Sequence, residues 1–277
     1  MSYILSQEEL RSVQLVQLEM LEEVDRICRK FDIKYNIIAG TLLGAVRHGG
    51  YIPWDDDADV ALLREEYEKF RDVCEKELDK SRFYFQDHRN TPGYRWGYGK
   101  LRRKNTLFLR ENQEHMPYEQ GIFIDIFPLD HVSDKRAIRA TQNFVLFCIR
   151  KMMWAPVGKV ACKSRSLRMW YKVLSRFPEN KLYRIYEGVI KKYNKKNSGW
   201  VRILTFPTPN KEYGYKKIWY LNSKEILFEN KKFQGIREYD EYLRFKFGDY
   251  MQLPPKELQK THSVTSLRIC NGESEGL

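Results

Sequence analysis

The chain has 277 residues, 42% of them hydrophobic and 31% charged, which excludes a disordered polymer and leaves room for one large domain or a catalytic core with an appendage. Its formal net charge of +12 favours anionic partners such as nucleotides, phosphorylated polymers, acidic lipid headgroups or nucleic acid, and fits an ordinary basic enzyme surface equally well. The five cysteines, Cys28, Cys74, Cys148, Cys162 and Cys270, are odd in number and form no C-x-x-C pair, which argues against a disulfide framework or zinc site and for a reducing, cytoplasmic compartment.

The opening residues MSYILSQEEL lack the basic start and apolar run of a secretory signal, and no stretch of about 18 apolar residues offers a membrane span. Ser6 and Glu9 form a capping box, and Leu10, Val13, Met20, Val24, Ile27 and Phe31 recur at helical spacing behind it, so 7–31 reads as an amphipathic helix. Tyr35 to Ala39 reads as a short buried strand that ends at Gly40, and Thr41 to His48 as a turn and short helix. Gly49, Gly50 and Pro53 mark a loop. A second strand is expected over 58–63 and a helix over roughly 65–80. Strand-like runs follow at 83–86, 96–101 and 106–109, and 121–127 is apolar except for Asp125. This mixture argues for an α/β or α+β core.

From 133 to 196 strand signals fade, and Lys and Arg alternate with Phe, Leu, Met, Trp and Tyr. A helical subdomain covering the core is one reading, with an apolar face of Phe144, Val145, Phe147, Cys148 and Met152 and basic helices over 163–176 and 182–196. A surface resting on an anionic membrane is the other. Short strands return near 201–206 and 226–228, and a helix starts near Tyr239 and ends before Pro254. There is no internal repeat or low-complexity tract.

The chemistry concentrates in Trp54-Asp55-Asp56-Asp57-Ala58-Asp59. Four carboxylates so close repel one another unless a cation sits among them. Asp57 and Asp59 are two apart at the entry to an apolar strand, so their side chains share a face and can grip the same hard cation or a pair of cations, Mg²⁺ or Mn²⁺. Upstream, Gly40-Thr41 follows a strand and opens a helix, a turn whose N–H groups suit a phosphate. Downstream, Asp125 is a lone carboxylate in an apolar strand and needs a partner; a third metal ligand fits, as does a hydrogen-bonded structural role.

This order of a G-T turn, a D-x-D pair and a later lone Asp resembles the nucleotidyltransferase superfamily, with Thr41 where Ser or Gly is more usual. Gly40 to Gly50, Ile52 to Asp59, Lys100-Leu101-Arg102, Asp125 to Asp130, Phe247 to Met251 and Leu253-Pro254-Pro255 together resemble the signature of the LicD family, over about 20 to 265. The resemblance implies an α+β fold with a mixed sheet. A nucleotidyltransferase-like core over 1–132 is expected, with a basic helical subdomain over 133–199 that faces acceptor or membrane. A segment over 200–277 would complete the core. It also implies phosphocholine transfer from CDP-choline to a sugar hydroxyl of a bacterial surface glycan precursor, of teichoic acid or lipopolysaccharide type. Related fukutin-related proteins transfer ribitol phosphate from a CDP donor.

On this reading Asp57, Asp59 and Asp125 hold Mg²⁺ or Mn²⁺, and Asp125 or Asp55 takes the proton from the acceptor hydroxyl. Gly40, Thr41, Arg47, Lys100 and Arg102 are the candidates for the phosphates; His48 is a phosphate donor or a packed loop residue, and His262 is a weaker candidate. A quaternary ammonium needs aromatic faces, which Trp54, Tyr94, Trp96 and Tyr98 offer. The acceptor is expected to be a lipid-linked glycan met at the inner face of the cell membrane. Nucleotidyl transfer from a triphosphate to a small acceptor is the competing reading. No RNA-reading aromatic fingerprint is present, so nucleic acid is not an expected partner.

Overall fold

The computed structural model describes residues 2–207 and 213–269; Cys270 and the last part of the 200–277 segment lie outside the described residues. Helix α1, Gln7–Lys30, begins at the expected capping box: the Ser6 hydroxyl accepts from the Glu9 N–H, and the Glu9 carboxylate accepts from the Ser6 N–H. Leu10, Val13, Met20, Val24 and Ile27 on one face are buried, each contributing about 1.5–3 kcal/mol relative to exposure.

The chain then runs through β1 (Asn36–Ile37), α2 (Ala39–His48), β2 (Asp59–Leu63), α3 (Arg64–Glu77), β3 (Phe83–Gln86), β4 (Gly99–Arg103), β5 (Leu107–Arg110) and β6 (Phe123–His131). The strand expected over 96–101 begins later, at Gly99, because residues 92–98 form a bent connection whose rings Tyr94 and Trp96 pack toward α4 instead. Three helices follow, α4 (Arg136–Ala161), α5 (Arg165–Leu174) and α6 (Glu179–Asn194). The C-terminal part adds β7 (Trp200–Arg202), β8 (Tyr215–Lys216), α7 (Lys217–Leu221), β9 (Ser223–Phe228), β10 (Lys231–Ile236), α8 (Tyr239–Phe247), a 3-10 turn at Lys256–Leu258 and β11 (Val264–Arg268).

The fold is α+β around a mixed sheet of order β3-β4-β6-β2-β1-β10-β9, with β7 and β8 continuing from the far end of β6 and a separate β5–β11 ribbon. β6 is central and almost wholly buried, which is why its sequence is mostly apolar and why Asp125 and Asp130 within it take cationic partners. It lies parallel to β2, and α1 and α3 pack over this part of the sheet. The main hydrophobic core takes residues from Leu5 to Leu129 and again from Val201 to Val264, so both ends of the chain build one core. Between them, α4 and α6 join around Leu146, Ile149, Met153, Leu182, Tyr186 and Ile190. The third cluster, Tyr94, Met116, Tyr118 and Val157, locks α4 onto residues that precede the helical segment.

Candidate active site

The acidic loop is held from below by α1. Gln17 Nε2 donates to the carbonyls of Asp56 (2.9 Å) and Phe123 (3.1 Å), and Gln14 Nε2 donates to the carbonyl of Asp55 (3.0 Å). One buried helix face therefore fixes the acidic loop and the start of β6 together. The parallel pairing of β2 with β6 places Asp59 directly opposite Asp125, closed by the Asp125 N–H donating to the Ala58 carbonyl (2.8 Å). Carboxylates that are 66 positions apart in the chain thus become neighbours on adjacent strands.

The connection from β1 to α2 is strained. Ala39 has φ of 50°, a left-handed conformation that costs about 1–3 kcal/mol in a non-glycine residue, and its N–H donates to the Tyr242 hydroxyl (3.3 Å) from α8. Next to it, a Cβ on Gly40 would come within 2.5 Å of Asp55 Oδ2, so glycine here lets the acidic loop approach the start of α2.

The carboxylates are not equivalent. Burial, with Asp57 and Asp125 alongside, pushes Asp59 well above the usual carboxylate range, and Lys246 draws it back. Burial and the charges of Asp57 and Asp56 push Asp55 up in the same way. Asp125 is also raised by burial, against the pull of Lys100, whose ammonium is paired with it and lies 3.3 Å from the centre of the Phe123 ring. Burial brings Lys100 itself down to about 8, with Asp125 opposing. Asp56 is different: burial disfavours its charge, but His262 and Arg110 hold it below the usual range. His262 Nδ1 lies 2.7 Å from Asp56 Oδ1, and Arg110 Nη2 lies 3.2 Å from Asp57 Oδ2.

Two cavities meet at this cluster. One, of about 500 Å³, has Asp57, Asp59 and Asp125 with Arg110, Arg202 and Lys246, and rings from Tyr98, Phe127, Phe206 and Tyr242. The other, of about 810 Å³, is walled by Gly40, Arg47, Trp54, Asp55 and Asp56 and by the loop after α8, from Phe247 to Leu258. Ala39, Asp57, Lys246 and His262 belong to both. Gly248, at φ of 72°, turns the chain from α8 into that loop.

Several expected phosphate ligands are occupied elsewhere. Arg102 shares the face of β4 that carries Lys100, both beside the Phe123 ring, but it is buried and spent on Gln86 Oε1 (2.6 Å) and the Gly121 carbonyl (2.7 Å), to which it donates. The Thr41 hydroxyl accepts from the Asp59 N–H (2.8 Å), so it positions β2 from the buried side of α2. Arg47 lines the larger cavity but donates to the Tyr250 carbonyl (2.7 Å), fastening the loop after α8, while its Nε donates to His48 Nε2 (3.0 Å). His48 sits edge-on to Trp54. Of the proposed aromatic residues, Trp54 lines the larger cavity and Tyr98 the smaller; Trp96 opens onto an adjoining cavity shared with Tyr98, and Tyr94 is fully buried in the α4 cluster.

Sequence reasoning missed Arg110, Lys246 and Arg202, and underrated His262. No local pattern marks a single cation on a short strand or helix end; the sheet pairing and the C-terminal return bring Arg110, Lys246 and His262 to the acids and Arg202 to the same cavity.

A mixed sheet bearing a strand-to-helix turn, a D-x-D strand and a carboxylate on the adjacent parallel strand defines a nucleotidyltransferase-type transferase. The model of the LicD/FKTN/FKRP nucleotidyltransferase domain matches residues 32–167. The chain is 30% identical over 271 residues to the lipopolysaccharide cholinephosphotransferase LicD of Haemophilus influenzae, covering 94% of this chain and 98% of that one. It thus belongs to the LicD family. Shorter matches link it to an uncharacterized protein of Rickettsia typhi, 42% identical over 65 residues, and another of Rickettsia prowazekii, 46% identical over 48, each covering about a fifth of either chain.

Proposed function

We propose that this enzyme transfers phosphocholine from CDP-choline to a sugar hydroxyl of a bacterial surface glycan precursor and releases CMP. The observation that carries the reading is the make-up of the smaller cavity, which joins three carboxylates, three cations and a set of aromatic faces. A zwitterionic donor needs all three. The diphosphate lies toward Arg110, Arg202 and Lys246. The trimethylammonium, which has no N–H to donate, rests on the ring faces of Tyr98, Phe127 and Phe206, whose centroids lie 4.7–5.6 Å apart.

The donor set fits Mg²⁺ or Mn²⁺. Asp57, Asp59 and Asp125 offer hard oxygen ligands, and the mutual repulsion that raises Asp59 is what a divalent cation relieves. Among the described residues it is Asp56, Asp57 and His262 whose ligand atoms all lie within 4.8 Å of one another, but Asp56 is already committed to His262 and Arg110. When bound, the ion offsets charge on the phosphates and the departing CMP. Arg110 and Lys246 orient the donor for in-line displacement. The acceptor hydroxyl enters from the larger cavity, its oxygen bonds to the choline-bearing phosphorus as the bond to the CMP oxygen breaks, and its proton passes to Asp55. Asp55 suits this role because burial and the charges of Asp57 and Asp56 strengthen its hold on a proton and it is not a ligand in the proposed ion set.

Calorimetric titration with CDP-choline, in Mg²⁺ and in EDTA, beside CDP-ribitol, CTP and ATP, tests the reading. Metal-dependent, selective binding of CDP-choline that Asp57→Asn abolishes is the expected result. Preference for CDP-ribitol changes the alcohol; binding of a triphosphate alone moves the enzyme to nucleotidyl transfer.

A further inference from the structure

Between Lys135 and Pro178 the sequence has eleven basic residues and no acidic one, so this segment holds nearly all of the +12 net charge and the rest of the chain stands at +1. None of the eleven enters an ion pair among the described residues, in contrast to the paired Lys and Arg of α1, α3 and α8. Within this segment α5 has a divided surface. Leu167, Met169, Trp170 and Val173 are exposed, at 45–62%. At 100° per residue they fall on one arc, and Arg165, Arg168 and Lys172 fall on the neighbouring arc. Only Tyr171 of this helix is buried, against Trp154 of α4.

The cations are also gathered. Lys159 at the end of α4, Arg165, Arg168 and Lys172 of α5, and Arg176 beyond it line an open cleft of about 730 Å³ that no carboxylate enters. A packed subdomain helix buries its apolar arc; this one buries a single tyrosine and holds out an indole, a thioether and two aliphatic chains. No helix in the described residues is long and apolar enough to cross a membrane, so the face meets a surface rather than spanning one.

We propose that α5 and the cleft beside it form a docking face for an anionic lipid bilayer. Leu167, Met169, Trp170 and Val173 enter the headgroup boundary, and the five cleft cations take the lipid phosphates. Charge complementarity selects anionic lipid, and the exposed apolar arc favours a bilayer over a soluble polyanion, which offers no apolar phase. This inference does not depend on the identity of the phosphocholine donor.

The test is sedimentation of the full chain with vesicles of phosphatidylcholine alone, and with 30% phosphatidylglycerol, over a salt series. Partitioning onto the anionic vesicles alone, weakening as salt rises, is expected. Trp170→Gln with Val173→Gln is expected to reduce it at least tenfold, and Arg165→Gln with Arg168→Gln and Lys172→Gln likewise. Circular dichroism checks that both variants fold. Absence of binding to anionic vesicles, or binding that both sets of substitutions leave unchanged, overturns the proposal. So does binding to single-stranded RNA as tight as to the vesicles and indifferent to Trp170→Gln, which would mark a site for polyanions.

Discussion

His262 and Asp56 are joined twice, by the imidazole Nδ1 at 2.7 Å from Oδ1 and by the His262 N–H donating to Oδ2 at 3.2 Å, across 206 positions of sequence. Asp56 is 1% exposed. It is thus the clasp that carries the C-terminal return, and with it β11, back to the acidic loop, while its neighbours Asp55 and Asp57 remain open to the cavities.

Asp56→Asn keeps the shape of this clasp and removes its charge. The buried acceptor then meets His262 and Arg110 without ionic reinforcement, and a loss of about 1–3 kcal/mol is expected. Urea denaturation measures it, and limited proteolysis should show cleavage between α8 and β11 that the parent chain resists.

Asp59→Asn should separate stability from activity. Asp59 is disfavoured as an anion by burial and by Asp57 and Asp125, so removing its charge relieves repulsion in the metal-free protein. The urea midpoint should stay or rise, while kcat/KM for phosphocholine transfer falls on the order of 100-fold or more. A variant that loses stability as well as activity would contradict this account of the cluster.

Gln17→Leu leaves the carbonyls of Asp56 and Phe123 without their buried donor. A stability loss of about 1–3 kcal/mol is expected, with a fall in kcat larger than any rise in KM, since the acids shift relative to one another. Gln17→Glu should be worse, because it adds a buried anion beside the acidic loop.

Arg64 and Asp130 form a buried bidentate pair, 2.7 Å at both contacts, and Asp130 also accepts from Asn194 of α6 (2.6 Å). Asp130→Ala removes the buried partner of the guanidinium and leaves it the partly exposed Glu68 (3.1 Å), which should cost about 3–5 kcal/mol in chemical denaturation. Arg64→Met with Asp130→Leu should recover much of it, since an apolar pair of similar volume leaves no buried charge.

Glu229 controls part of the acid limb of stability. Arg11 holds its carboxyl below the usual range with contacts of 2.7 and 3.0 Å, aided by the Tyr51 N–H and opposed by partial burial. A depressed carboxylate contributes fully above the unfolded value, about 4.3, and its contribution disappears as pH falls through the lower folded value. Glu229→Gln should therefore be less stable than the parent at pH 6, and the gap should narrow steadily as pH falls below about 4.3, as read from urea midpoints at each pH.

Much of the architecture is written locally. The capping box and apolar spacing determine α1, the apolar run determines β6, and the 133–196 stretch declares its helices because nothing in it alternates with period two. The β9–β10 hairpin is only half legible: Ile226 to Phe228 reads as strand, but Lys231 to Ile236 is lysine-rich and interrupted by glycine, and earns its place by pairing between β1 and β9. Its turn, Glu229-Asn230, has positive φ at both positions, a conformation that only Asn advertises in sequence.

For the site, sequence alone determined the acidic residues, because four carboxylates against apolar flanks are a local anomaly that any fold must compensate. Tertiary structure decided what compensates them. The cations Lys100, Arg110 and Lys246 come from three different elements and the His262 clasp from the loop before β11, and nothing near any of them in the chain says that it will face an acid. Arg102 shows the converse: two residues from Lys100 on β4, it looked like a phosphate ligand and is spent on Gln86 and a backbone carbonyl. Charge is a property of the residue and legible at once, whereas the partner that gives a charge its role is fixed only when strands pair and the chain's ends close on one core.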